Sequence, residues 1–187
     1  MRELSLNILD IAENSVKAGA KLVRVTVEAV PAEDSLVLTV CDDGSGMDAE
    51  MAARAADPFS TTRTTRKVGL GLPYLKMNAG MTGGSMEIES EAGKGTKVTA
   101  TFVLGHIDRV PLGDMGQTMA LLAGANPEMD FVYELCVRGA EDEDFILDTR
   151  DIKRILDGVP VSEPDVMTYI ASYVNENTRG LLEKYKI

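Results

Sequence analysis

With 187 residues, of which 44% are hydrophobic and 26% charged, the chain has the composition of a folded globular protein, enough for one domain or one domain with a smaller appendage. Its 30 acidic against 19 basic residues give a net charge of -11 and a pI near 4.6, a field that repels nucleic-acid phosphates and anionic lipid and disfavours both as partners. No apolar run approaches the roughly 18 residues of a membrane helix, and the stretch MRELSLNILDIAENS lacks the apolar segment of a secretory leader, so a cytoplasmic location is expected. Cys41 and Cys136 have no metal-type spacing and read as small buried thiols rather than a disulfide.

In chain order, Leu4, Ile8, Ile11 and Ser15 step at helical intervals, so residues 3–18 are predicted helical with Gly19 as a stop. Val23, Val25 and Val27, then Leu36, Leu38 and Val40, alternate with polar residues and predict two strands around a turn from Pro31 to Asp34. A short Ala-rich helix is expected at 48–56. The segment 57–68 loses periodicity and becomes polar and basic, which predicts a loop. A helix over 72–80 follows, then strands at 85–90 and 96–104. Past a boundary at Pro111 and Gly113, helices are expected at 115–124, 149–157 and 163–178, with strands at 130–138 and 144–148. Helices interleaved with mostly antiparallel strands predict an α+β chain, a two-layer α/β sandwich over residues 1–105 with a small α/β C-terminal extension over 106–187.

Four short motifs stand in fixed order: ENSVKAGA (13–20), DDGSGM (42–47), GLGL (69–72) and GKGTKVT (93–99). Singly each has a bland meaning, such as a polar helix face, a strand-to-helix turn or an ordinary strand threonine. Together, over the first 105 residues, they resemble the GHKL ATPase superfamily of gyrase, ninety-kilodalton heat-shock chaperones, histidine kinases and MutL. The ENSVKAGAKLVRVTVE segment is most similar to MutL, whereas DPFSTTR, GLGLPYLKMNAGMTGG and EAGKGTKVTATF are similar to histidine-kinase catalytic domains. The sequence has no GxxxxGK[ST] and no GxGxxG, so neither the Walker loop nor the dinucleotide fingerprint is present.

The resemblance implies a Bergerat-type fold that binds ATP with Mg²⁺. Asp10 and Asn14 share one helix face; by resemblance Asn14 offers an amide oxygen to Mg²⁺, and Asp10 falls where gyrase and MutL place a glutamate base. Asp42, acceptor-only when ionised, suits the exocyclic amino group of adenine and not the carbonyl of guanine, with Gly44 and Gly46 allowing close backbone approach and Thr96 adding a hydroxyl. Gly69, Gly71 and Leu72 open a helix whose free amides and dipole favour phosphate. In the same reading Phe59 heads a loop in which Arg63, Arg66 and Lys67 offset phosphate charge as a lid over the nucleotide; a solvated basic loop is the simpler alternative.

The only histidine, His106, lies past the last sandwich strand, so it is expected to be a surface or hinge residue that is not phosphorylated. These features predict an ATP-binding regulatory protein with a histidine-kinase-like ATPase domain but no phosphoacceptor helix, hydrolysing ATP or phosphorylating a partner protein. The alternatives are a nucleotide-gated binding module without chemistry and an anti-sigma-type serine/threonine kinase. A protein partner is expected, and a homodimer is left open.

Overall fold

The computed structural model describes residues 3–57, 71–139 and 143–187. Helix α1 (Leu4–Lys17) forms because Leu4, Ile8, Ile11 and Ala12 fall on one face, and all four are buried. Its first free amides are satisfied from the distant chain, Leu4 N donating to Pro111 O at 3.0 Å and Ser5 N to Leu112 O at 2.8 Å. Strands β1 (Leu22–Val30) and β2 (Ser35–Asp42) form the expected hairpin, closed by a 3-10 turn at Pro31–Glu33 that ends with Asp34 in the left-handed region.

Helix α2 (Ala49–Ala55) is capped by Asp48, whose carboxylate accepts from Met51 N at 2.8 Å. Helix α3 (Gly71–Met81), the antiparallel pair β3 (Met86–Glu91) and β4 (Gly95–Val103), and helix α4 (Met115–Ala125) follow. Strands β5 (Asp130–Val137) and β6 (Glu143–Asp148) and helices α5 (Thr149–Leu156) and α6 (Pro164–Tyr185) complete the chain.

The strands form one sheet in the order β3-β4-β2-β1-β5-β6, with helices on one side. All neighbours are antiparallel except β1 and β5, which run parallel from Leu22 opposite Asp130 to Ala29 opposite Val137. Alternation places Val23, Val25, Val27, Leu36, Leu38, Val40, Val98, Ala100 and Phe102 in the core under the helices, while Arg24, Thr26 and Glu28 point to the other face. The architecture is thus the expected α+β arrangement.

Strand pairing crosses the 105/106 boundary. Residues 106–187, expected as an extension, insert β5 directly beside β1, where Asp130 N donates to Lys21 O at 2.8 Å and Arg138 N to Ala29 O at 2.9 Å. Phe131, Tyr133 and Leu135 are fully buried in the shared core. Helix α6 runs past the expected end at residue 178. Thr178 and Gly180 interrupt the apolar pattern, yet Thr178 Oγ1 lies 3.2 Å from the buried Tyr133 hydroxyl, and Leu181 and Leu182 pack on the core. The two cysteines are free. Burial pushes the Cys136 thiol up to about 12 and raises the half-buried Cys41 thiol as well, so both are held as thiols.

Candidate functional site

Three elements meet at one end of the sheet: the middle of α1, the last residue of β2 and the start of α3. Asp42 ends β2 in the same alternation as Leu36, Leu38 and Val40, so its side chain emerges on the helix side. It pairs with Thr96 of β4, which pairs in turn with Ser90 of β3, giving a polar rung across three strands.

Two sets of hydrogen bonds hold this rung, one on Asp42 and one on Ser90 and Thr96. Ser15 Oγ, reaching down from α1, donates to Asp42 Oδ2 at 2.6 Å, and Gly44 N donates to Asp42 Oδ1 at 2.9 Å. Ser90 Oγ donates to Gly95 O at 3.0 Å and accepts from Met47 N at 2.8 Å. Its one hydrogen being spent, the 2.9 Å contact with Thr96 Oγ1 has Thr96 as donor. The Asp42 carboxylate is therefore fixed in orientation while keeping lone pairs for a further donor.

The glycines beside it answer to close contacts. Gly46 has φ of +63°, and a Cβ there would stand 2.1 Å from Glu91 O. A Cβ on Gly44 would meet the Ala18 methyl at 2.9 Å. The DDGSGM turn is thereby pressed between the end of α1 and the β3–β4 hairpin.

The neighbouring Asp43 has a different task. Its Oδ1 accepts from Lys21 N at 2.7 Å and Leu22 N at 2.9 Å, tying the turn to the start of β1. These backbone bonds, the one from Leu22 foremost, hold its carboxyl below the ordinary range.

On α1, Asp10 is half-buried and Asn14 is exposed one turn later. Burial, then the charge of Glu13, raises the Asp10 carboxyl above its usual range, against the opposing pull of Lys17 and the N-terminal amine. Gly71 brings the first turn of α3 against this position, since a Cβ on it would lie 2.7 Å from Asp10 Cβ. Leu72, half-buried, packs on the core behind it.

The structure brings Asp10, Asn14, Asp42, Gly44, Gly46, Gly71, Leu72 and Thr96 to this end of the fold. Phe59, Arg63, Arg66, Lys67 and Gly69 lie outside the described residues. His106 sits in a turn after β4, where its Nδ1 accepts from Asp108 N at 3.1 Å.

Sequence reasoning missed the groups that hold the site. Asn7, fully buried on α1, donates from Nδ2 to Gly71 O at 3.2 Å, and Asn78 Nδ2 of α3 donates to Asn7 Oδ1 at 3.5 Å. This pair joins α1 to the start of α3. The available signal was polar residues on apolar faces: Asn7 beside Leu4, Ile8 and Ile11, Ser15 after Ile11, and Asn78 beside Leu75 and Ala79.

A cavity of about 570 Å³ lies between α2, α3 and β3, lined by Ala52, Ala56, Lys76, Met86, Ile88 and Ser90 among others. It touches the rung only at Ser90, so the side-chain constellation and not this cavity locates the candidate site. No group of three or more His, Cys, Asp or Glu side chains arranged for a metal occurs among the described residues.

Comparison with known proteins identifies the family of the first part of the chain. Residues 2–106 match the family described as histidine kinase-, DNA gyrase B-, and HSP90-like ATPase. The sensor protein kinase FleS of Pseudomonas aeruginosa is 39% identical over 105 residues, 56% of this chain and 25% of that protein. A non-motile and phage-resistance protein of Caulobacter vibrioides is 34% identical over 54% of this chain and 13% of its own length, and sporulation kinase D of Bacillus subtilis is 34% identical over 51% and 19%. The chain thus spans a quarter or less of these relatives. Among solved structures, the N-terminal domain of a DNA repair protein superposes with a TM-score of 0.52 at 14% identity, covering 79% of this chain and 53% of that one. At that identity the likeness is one of fold, and it takes in more of the chain than residues 2–106 make up.

Proposed function

Because this chain belongs to the histidine kinase-, DNA gyrase B-, and HSP90-like ATPase family, we propose that it binds ATP at the end of the sheet where α1, β2 and α3 meet, and acts as a regulatory protein by hydrolysing that ATP or passing its γ-phosphoryl group to a partner protein. The observation that carries this reading is the Asp42 carboxylate, oriented by Ser15 and Gly44 with Thr96 alongside, on the same side of the sheet as Asp10, Asn14 and the first turn of α3.

Asp42 accepts the exocyclic amino group of adenine. The glycine turn lets the backbone lie close to the base, and Gly71 with Leu72 offers the first amides of α3 to phosphate. Asn14, whose amide is exposed, fits Mg²⁺, an ion content with one or two protein oxygens when phosphates and water fill the remaining positions. When bound, Mg²⁺ offsets phosphate charge. Asp10 takes the proton of the attacking water or hydroxyl as its oxygen bonds to the γ-phosphorus and ADP departs. Burial has already raised this carboxyl toward the range of a working base. The names of the relatives, a sensor protein kinase and a sporulation kinase among them, favour phosphoryl transfer within a regulatory system.

The test is incubation of the purified protein with γ-labelled ATP and Mg²⁺, following free phosphate and protein-bound label together. Turnover present in the wild type and lost in Asp10→Ala supports the reading with Asp10 as base. ATP that binds but stays intact moves the reading to a nucleotide-gated module, and absence of ATP binding overturns it.

A further inference from the structure

On the far side of the molecule, α5 and α6 diverge from β6 and leave an apolar groove of about 500 Å³. Two helices feed it with matching stripes: Ile152, Ile155 and Leu156 at i, i+3 and i+4 on α5, and Val166, Tyr169 and Tyr173 on α6. The side chains are open to solvent to a degree unusual for their size, Ile155 being 81% exposed and Tyr169 61%. The aromatic ones pack on one another. The Tyr169 and Tyr173 rings stack at 5.8 Å, and Tyr173 meets Phe145 of β6 edge-on at 5.4 Å.

The charges lining the groove have a single sign. Among the described residues Asp148, Asp151 and Asp165 are its only carboxylates, and no Lys or Arg lines it. Asp148 and Asp151 are held by Arg150 and Arg154 outside the lining, while Asp165 has no ion pair among the described residues. Residues 106–187 as a whole carry twice as many acidic as basic side chains.

We propose that this groove is the docking surface for an amphipathic helix of a partner protein, with large apolar side chains at i, i+3 or i+4 and i+7 and with Lys or Arg on its flanks. Two apolar ridges facing one gap are the geometry that a third helix fills, and the acidic rim selects cationic flanks. A second copy of this chain would bring the same rim and the same net charge of -11 against it, which opposes self-association through this face. The surface goes beyond the ATP-binding reading and does not depend on it.

The experiment uses the full chain and a fluorescein-labelled helical peptide of about 15 residues, with Leu on one stripe and Lys elsewhere, beside a counterpart with Glu in place of Lys. Fluorescence anisotropy should give saturable binding of the lysine peptide, no binding of the glutamate peptide, and roughly tenfold or greater weakening in both Ile155→Ser and Asp165→Lys. Both substituted positions are exposed and away from the nucleotide site, so ATP binding should stay at the wild-type value while Asp165→Lys, in the first turn of α6, lowers the melting temperature by no more than a few degrees, and failure of the groove and failure of the nucleotide reading are separable. Absence of saturable binding, or binding equal in wild type and variants, overturns the proposal. So does a concentration-dependent dimer that Ile155→Ser abolishes, which would assign the groove to a second copy.

Discussion

At the β2–β4 end of the sheet polar groups are held by other polar groups, whereas beside β6 apolar side chains lie open next to carboxylates. Ser15 and the Gly44 amide hold Asp42, and Thr96, Ser90 and the Met47 amide form a second hydrogen-bonded series beside it, while Ile155 and Tyr169 stand in solvent. One core supports both surfaces: β1 pairs with β2 on one side and β5 on the other, so the two regions share a wall of valines. The difference lies in what each surface requires. Recognising a charged ligand calls for donors and acceptors fixed in advance, and fixing them leaves glycine turns and buried asparagines in the chain. An apolar groove calls only for shape, which ordinary helical periodicity supplies.

The largest effect tests whether the two regions stand on one core. Phe131→Ala, at a fully buried position in β5, should cost about 4 kcal/mol and lower a single melting transition of the whole chain. Hydrogen exchange showing residues 106–187 open while residues 3–57 stay protected would mean two separate cores.

Next is the pair that joins α1 to α3. Asn7→Leu leaves Gly71 O and Asn78 Nδ2 without their partner and should cost about 2 kcal/mol in denaturant melts. ATP affinity should fall with it, and peptide binding at the groove should not change.

Smaller still is Asp43→Ala. The folded carboxyl lies below its unfolded value of 3.8, so its contribution is fully present above that value and is lost as pH falls through the lower folded one. Wild type and variant should differ by about 1 kcal/mol at pH 7, a figure already discounted for exposure, and converge in acid.

Asp10→Asn should act in the opposite sense and least of all. A raised carboxyl costs native stability once ionised, a penalty present above the folded value and absent below 3.8. The variant should melt about one degree higher at pH 7 and equally in acid, while losing turnover.

Much of this was legible in the sequence because periodicity reports which face of an element is buried. The β1–β2 hairpin, its turn and the inward face of α1 follow from alternation and helical steps alone. Periodicity does not report partners, so the parallel pairing of β5 with β1 stayed hidden although both strands were expected. Buried polar groups were hidden for a related reason: Asn7, Ser15 and Asn78 look like defects in an apolar stripe until the atom each one meets is known. In DDGSGM the motif and the alternation already single out Asp42, but the task of Asp43 became visible only with its partners, the amides of Lys21 and Leu22.

Selection of adenine by Asp42 is read from competition between ATP and GTP for the wild type and Asp42→Asn, each with Mg²⁺. ATP should bind the wild type at least roughly tenfold more tightly than GTP, and the asparagine, which presents both a donor and an acceptor, should remove most of that preference. Equal affinity for the two nucleotides in the wild type, or an unchanged preference in the variant, would contradict it.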